Sequence, residues 1–234
     1  MLQVKNITLA YDDEVVLKDI NLSAKEGECL VILGPSGCGK TSLLYMMAGL
    51  RQPSEGTIEY RGKRIVRPIP EISMIFQGYG LFPWKTVKEN LVLPCKIRKE
   101  KTDERELQEI VEALGLKEHL NKYPSQLSGG QKQRVAIGRA MLNNAKIILM
   151  DEPFSALDME IKEKLQEYLK ALFKTRNMTV VMVTHNMDEA LAWADTIAVF
   201  KKDGMSFEKI TANPYKDKIG KKEEFIKMVL QERR

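Results

Sequence analysis

Residues 2–9 (LQVKNITL) alternate apolar and polar side chains, the two-residue period of a half-buried strand. Val15 to Leu22 repeats the alternation. Over Glu28 to Leu33 (ECLVIL) it gives way to a short continuous apolar run, the pattern of a strand covered on both faces. A glycine-rich turn follows, then a helical stretch from Lys40 to Leu50. Thr57–Tyr60 and Ile72–Phe76 predict two further strands.

From Pro83 to Leu142 the period lengthens to that of helices, with Val87/Leu91, Leu107/Ile110/Val111/Leu114 and Val135/Ala136/Arg139/Ala140 as apolar or packed faces. Pro94 and Tyr123-Pro124-Ser125 are the expected breaks. Strand and helix then alternate again: strand Ile147–Met150, a helix to Phe173, strand Thr179–Val183, a helix, and strand Thr196–Phe200. Such alternation predicts a parallel sheet covered on both faces and interrupted by a helical insertion. A last helix is expected over Glu223–Gln231, with Phe225, Ile226, Val229 and Leu230 on one face.

Composition changes this picture little. The chain has 234 residues, 44% of them hydrophobic and 29% charged, which suits one large domain with a real core. The net charge of +5 is mild and forms no long basic block, so nucleic acid is not an expected partner. Cys29, Cys38 and Cys95 have no metal-ligand spacing and suit free thiols in a reducing compartment. No apolar run approaches the roughly 18 residues needed to span a bilayer, and no signal-peptide layout is seen. A membrane role would run through a partner.

The chemistry begins at Gly34-Pro35-Ser36-Gly37-Cys38-Gly39-Lys40-Thr41, a full G-x-x-x-x-G-K-[ST] between a strand and a helix. Glycines let successive N–H groups turn inward on phosphate oxygens, and the helix N-terminus adds partial positive charge. Lys40 would reach the β- and γ-phosphates, Thr41 would offer its hydroxyl to Mg²⁺, and Ser42 would add a phosphate contact. Cys38 is either a filler thiol or a redox switch. A second cluster, Asp151-Glu152, closes the apolar strand Ile147–Met150 where parallel sheets place their ligand crevice. Asp151 there would hold Mg²⁺ through water, and Glu152 would take a proton from the water attacking the γ-phosphate.

Between these motifs lies Leu127-Ser128-Gly129-Gly130-Gln131, followed by the helical KQRVAIGRAML. With both nucleotide motifs in this order, the chain resembles the ABC transporter ATPase family over essentially its whole length. The resemblance implies an α/β P-loop NTPase core with a mixed, largely parallel sheet, an N-terminal antiparallel β subdomain and a helical insertion. Residues 1–82 and 145–234 would form the core, and about 83–144 the helical subdomain with the signature motif. It also implies that Tyr11 stacks on adenine and that Gln77 meets Mg²⁺ or the attacking water. His185 would donate to the γ-phosphate, and Ser155-Ala156-Leu157-Asp158 would touch a second subunit. Ser128, Gly129, Gly130 and Gln131 would serve the nucleotide of that second copy, so that two chains sandwich two ATP molecules.

Gly78-Tyr79-Gly80-Leu81-Phe82-Pro83-Trp84 follows Gln77. Its aromatics either receive a helix of a membrane subunit or anchor the insertion in the core. The short Gly62–Ile72 connection, LFPWKTVKENL and THNMDEALAWAD are similar to importer ATPases for nitrate, sulfonates and taurine. The Leu-Phe-Pro context is also similar to sugar and polyamine importers. Those normally carry an added C-terminal domain, for which the roughly thirty residues after Lys202 are too few. The expected role is a peripheral ATPase on the cytoplasmic face of the cell membrane, with permease subunits and a solute-binding protein as partners. A lipoprotein-release or export ATPase is the alternative, as is a non-transport ATPase acting on DNA, although no sustained heptads are present.

Overall fold

The structure is a computed structural model. It describes residues 1–12, 14–201, 205–216 and 222–231, with backbone alone for 222 and 228–231. In chain order the strands and helices are β1 (Leu2–Tyr11), β2 (Glu14–Ala24), β3 (Cys29–Leu33), α1 (Lys40–Met47), β4 (Glu55–Tyr60), β5 (Lys63–Arg64), β6 (Ile72–Ile75), α2 (Val87–Leu91), α3 (Leu93–Arg98), α4 (Glu104–Ala113) and α5 (Gly129–Met141). They continue as β7 (Ile147–Asp151), α6 (Met159–Thr175), β8 (Thr179–Thr184), α7 (Met187–Trp193), β9 (Thr196–Phe200), β10 (Phe207–Ala212) and α8 (Lys222–Gln231). They fall into two compact units, one of residues 1–69 with 179–234 and one of residues 70–178.

The first unit opens with an antiparallel sheet in the order β2-β1-β4-β5. Leu2, Val4, Ile7 and Leu9 of β1 are buried, so the period of two slips by one residue after Val4. Asn6 absorbs the slip. Its φ is +49°, its N–H donates to Asn21 Oδ1 at 2.9 Å, and its side-chain amide donates to Asp19 Oδ1 at 2.9 Å. The bulge returns Ile7 to the core opposite Ile20. Gly56 crosses at the same point, where a Cβ would meet Asn6 O at 2.3 Å.

The same unit holds β3 parallel to both β8 and β9, with β10 antiparallel to β9. Val31, Ile32, Val181, Met182, Ile197 and Ala198 are buried, as the apolar runs require. The sequence reading has no counterpart for β5 or β10. The first is two residues long, and the second is a half-exposed edge strand that lacks a full apolar face. In α8, Phe225 is buried and Ile226 half-buried, while the expected side chains of Val229 and Leu230 lie outside the described residues.

In the second unit β6 and β7 pair in parallel, from Ile72 opposite Ile147 to Ile75 opposite Met150. Four α-helices and two short 3-10 turns, Lys117–His119 and Pro124–Gln126, separate them in the chain. Pro94 begins a helix, standing in the first turn of α3 where its missing N–H costs nothing. Gly138 of α5 lets two neighbours come close: a Cβ there would lie 2.7 Å from Leu91 of α2 and 2.8 Å from Leu114. Asn90 is fully buried and staples the loop before α2. It accepts from Phe82 N–H and donates to the carbonyls of Phe82, Lys85 and Thr86. α6 buries one stripe, Leu165, Leu169 and Phe173, and ends two residues beyond the predicted Phe173.

Candidate functional site

In the first unit the glycine-rich loop joins β3 to α1. Gly37 and Gly39 have φ of +82° and +89°, left-handed conformations that curl the backbone. Gly39 caps α1 with no side chain over the helix start, leaving that end to a ligand's acceptors. Gly34 has a steric reason of its own, since a Cβ there would lie 2.8 Å from Phe200 Cβ and 3.0 Å from Cys38 Sγ. Lys40 is buried, and its ammonium donates to the carbonyls of Gly34 at 2.9 Å and Pro35 at 2.5 Å. It also lies 3.7 Å from Cys38 Sγ. The charge is thus held inside the curl of the loop. Burial pushes the Cys38 thiol above its ordinary range, against the opposing pull of Lys40. Pro35, Ser36 and Gly37 are exposed, and Thr41 and Ser42 half-buried.

Tyr11, the last residue of β1, approaches this loop, with Oη 3.2 Å from Ser42 Oγ. The Arg51 guanidinium lies 4.2 Å from the Tyr11 ring centroid, covering one face in a cation–π contact. Sequence reasoning missed Arg51, because no local motif links positions forty apart. His185 is exposed and directly follows β8. A tight turn holds it: Thr184 Oγ1 donates to Glu189 at 2.6 Å and accepts from Asn186 N–H at 3.0 Å.

The second unit carries the acidic pair and the signature segment. Asp151 is buried at the end of β7. Glu152 is half-buried with φ of +46°, an unfavourable backbone for a residue with a Cβ. The following turn closes on it, as Ser155 Oγ donates to Glu152 O at 3.0 Å. Asp158 then caps α6 by accepting from Ile161 N–H at 3.1 Å.

Ser128 caps α5 in a capping box. Its Oγ accepts from Gln131 N–H at 3.3 Å, and Gln131 Oε1 accepts from Ser128 N–H at 2.9 Å. The hydroxyl hydrogen of Ser128 stays available to donate to an anion. Both signature glycines carry close neighbours. A Cβ at Gly130 would sit 3.1 Å from Ala156 O, and one at Gly129 would sit 3.2 Å from Tyr79 Oη. The structure therefore brings the signature segment together with the 155–158 turn and with the loop after Gln77. Gln77 itself is exposed just past β6.

Hard oxygen donors of the kind Mg²⁺ prefers are present in Thr41, Gln77 and Asp151. No group of three His, Cys, Asp or Glu side chains forms a metal cage among the described residues. No described helix is long and apolar enough to cross a membrane.

Residues 17–155 match the ABC transporter family. The spermidine/putrescine import ATP-binding protein PotA of Spiroplasma citri is 43% identical over 204 residues, covering 85% of this chain and 58% of that protein. The trehalose/maltose import ATP-binding protein MalK of Thermococcus litoralis is 41% identical over 204 residues, covering 82% and 55%. The chain thus spans little more than half the length of these curated relatives. A dimeric ATP-binding cassette in a post-hydrolysis state, bound to ADP and Pi, superimposes with a TM-score of 0.82 at 35% identity. That match covers 91% of this chain and 98% of the other. Neither curated relative is named for nitrate, sulfonate or taurine, the solutes the sequence reading favours, and that expectation is corrected accordingly.

Proposed function

Because the chain belongs to the ABC transporter family, we propose that it is the ATP-hydrolysing subunit of a bacterial importer, acting as a pair of copies beneath a membrane permease. The observation that carries this reading is the glycine loop, curled by Gly37 and Gly39 around the buried ammonium of Lys40. Phosphate oxygens would replace the Gly34 and Pro35 carbonyls as acceptors for that ammonium, and the uncapped start of α1 would add N–H donors. Residues Gly34 to Ser42 would hold the phosphates, and the free face of Tyr11 the adenine.

In the reaction, water adds to the γ-phosphorus while the bond to the β–γ bridging oxygen breaks, giving ADP and inorganic phosphate. Glu152 accepts the proton of the attacking water, and its left-handed backbone is a strained setting of the kind found at working residues. Gln77 orients that water, and His185 donates to the γ-phosphate as charge develops. Thr41, Asp151 and Gln77 would hold Mg²⁺, which when bound neutralises charge on the β- and γ-phosphates. Ser128 and the N–H groups of Gly129 and Gly130 would serve the γ-phosphate of the second copy, with Gln131 holding Ser128 in the capping box. ATP therefore closes the pair and hydrolysis reopens it.

The solute follows the relatives named for spermidine/putrescine import, so a polyamine is the proposed cargo, delivered by a solute-binding protein. A sugar is the second reading, favoured by the trehalose/maltose relative. The test is Glu152→Gln, which removes the proton acceptor while keeping the shape. With ATP and Mg²⁺ this variant should be a stable dimer by light scattering, and a monomer would sink the proposal. Reconstitution with the permease should then show ATP hydrolysis stimulated by spermidine with its binding protein. Stimulation by DNA instead would move the chain to the non-transport class.

A further inference from the structure

Two residues after Gln77 the backbone turns left-handed twice in succession, at Tyr79 (φ +64°) and Gly80 (φ +59°). Glycine accepts that conformation freely. A tyrosine adopts it at a cost of about 1–2 kcal/mol and keeps it only when its surroundings impose it. The surroundings are on α5. Arg139 spreads its guanidinium over the two strained peptides, donating to Gly80 O at 2.6 Å and to Tyr79 O at 3.0 Å. Burial lowers the proton affinity of this guanidinium, so its charge is held in place at a cost that the two carbonyls offset. The same tyrosine reaches the other end of the helix, where its hydroxyl rests against Gly129 and would lie 3.2 Å from a Cβ at that position.

Tyr79 is therefore gripped by its backbone near the last turn of α5 and by its side chain at the first. We propose that Tyr79 is a positioning residue that ties the loop carrying Gln77 to the glycine-rich start of α5, so that a change at Gln77 is felt by residues 128–131. This rests on the reading above, in which Gln77 meets the nucleotide of its own chain and residues 128–131 that of the partner. The strap then links the two nucleotides through one protomer. The neighbours of Gly130, Ala156 O and Leu157 Cδ2, lie on the 155–158 turn and place that turn against the same segment.

The test is hydrogen exchange of the parent and of Tyr79→Gly, with and without Mg-ADP. Glycine suits the left-handed backbone, so the variant should melt at or above the parent's temperature. In the parent, Mg-ADP should protect residues 34–42 and also slow exchange over 128–133. In Y79G the protection of 34–42 should persist while the response of 128–133 is lost. Arg139→Lys keeps the charge but replaces the planar fork, whose two nitrogens each hold one carbonyl, by a single ammonium on a shorter stem, and should lose the response as well. If Y79G melts below the parent, R139K decides. The inference is overturned by an equal response in parent and variants, or by no response at 128–133 in a parent that binds Mg-ADP. A parent whose residues 34–42 gain no protection overturns the functional reading itself.

Discussion

Gln131 Nε2 lies 3.1 Å from His119 Nε2, and this contact fixes both the tautomer of the histidine and the orientation of the amide. Gln131 Oε1 is committed to Ser128 N–H in the capping box, so its –NH₂ group faces the imidazole. His119 Nε2 must accept, and Nδ1 carries the proton. That Nδ1 is buried with no hydrogen-bond partner. The cap of α5 therefore depends on a neutral histidine.

This dependence predicts an acid-sensitive signature segment. Burial first, then the cations of Lys122 and Arg134, lower the His119 pKa below the ordinary 6.5, against a smaller opposite pull from Glu118. A depressed histidine pKa means the unfolded chain takes up the proton first. The contribution to stability is complete above about pH 6.5 and is lost as the pH falls from there through the folded pKa. Protonation would set two donors against each other at Nε2. Comparison of melting temperatures from pH 7.5 to 5.5 should show the parent falling relative to His119→Gln, which keeps an acceptor and does not titrate there. Parallel curves would remove His119 from this role.

Gly37 and Gly39 share a positive φ but differ in their surroundings, and alanine should separate them. Gly37 has nothing within 4 Å of a Cβ, so Gly37→Ala bears backbone strain alone, about 1 kcal/mol and about 2–4 °C in melting temperature. At Gly39 a Cβ would meet Leu17 Cδ2 at 2.7 Å and Val16 Cγ1 at 3.2 Å. Gly39→Ala should lose about 2–4 kcal/mol by adding overpacking to the strain. Its affinity for Mg-ADP, read by titration calorimetry, should fall more than that of G37A, because the start of α1 must shift. Equal losses in stability and affinity would refute the steric distinction.

Cys38 stands among phosphate-binding positions, yet its environment argues for an inert thiol. It is buried, and that burial raises its pKa above the ordinary 9.0 despite Lys40 nearby. A raised thiol pKa leaves stability unaffected below about pH 9, and stability is lost above it as the unfolded chain ionises first. Iodoacetamide at pH 8 should therefore modify Cys38 at least about tenfold more slowly than a free thiol, read by peptide mass spectrometry. Rapid modification would restore the redox reading.

The parts of this fold that are legible in the sequence are those whose cause is local. A continuous apolar run such as Cys29–Leu33 must be buried on both faces, and the glycine loop after it has few ways to turn. The signature segment Leu127–Gln131 is likewise contiguous in the chain. What escapes is imposed from a distance. Tyr79 is driven left-handed by Arg139, sixty positions away, against its own preference. Arg51 finds the Tyr11 ring and His119 finds Gln131 only once the chain is folded. The slip in β1 is hidden because Asn6 reads as an ordinary polar position, while its side chain builds the bulge.

Trp84 bears on one of the two sequence readings of the aromatic segment, that of a core anchor. It is 69% exposed and packs edge-on against Phe82, with centroids 5.4 Å apart, so it does not anchor the insertion in the core. The backbone beneath the pair is held by buried Asn90, which bonds both the N–H and the carbonyl of Phe82. Under the proposed importer function, this exposed aromatic pair on a fixed base would receive a helix of a permease. Trp84→Ala should therefore melt within about 2 °C of the parent, since little buried area is lost. Transport by the reconstituted complex should fall about tenfold or more, while ATP hydrolysis by the isolated subunit persists. Asn90→Leu should behave differently. Leaving the bonded groups of 82–86 without partners costs about 2–3 kcal/mol and lowers the melting temperature. Unimpaired transport by W84A would assign the permease contact to another surface.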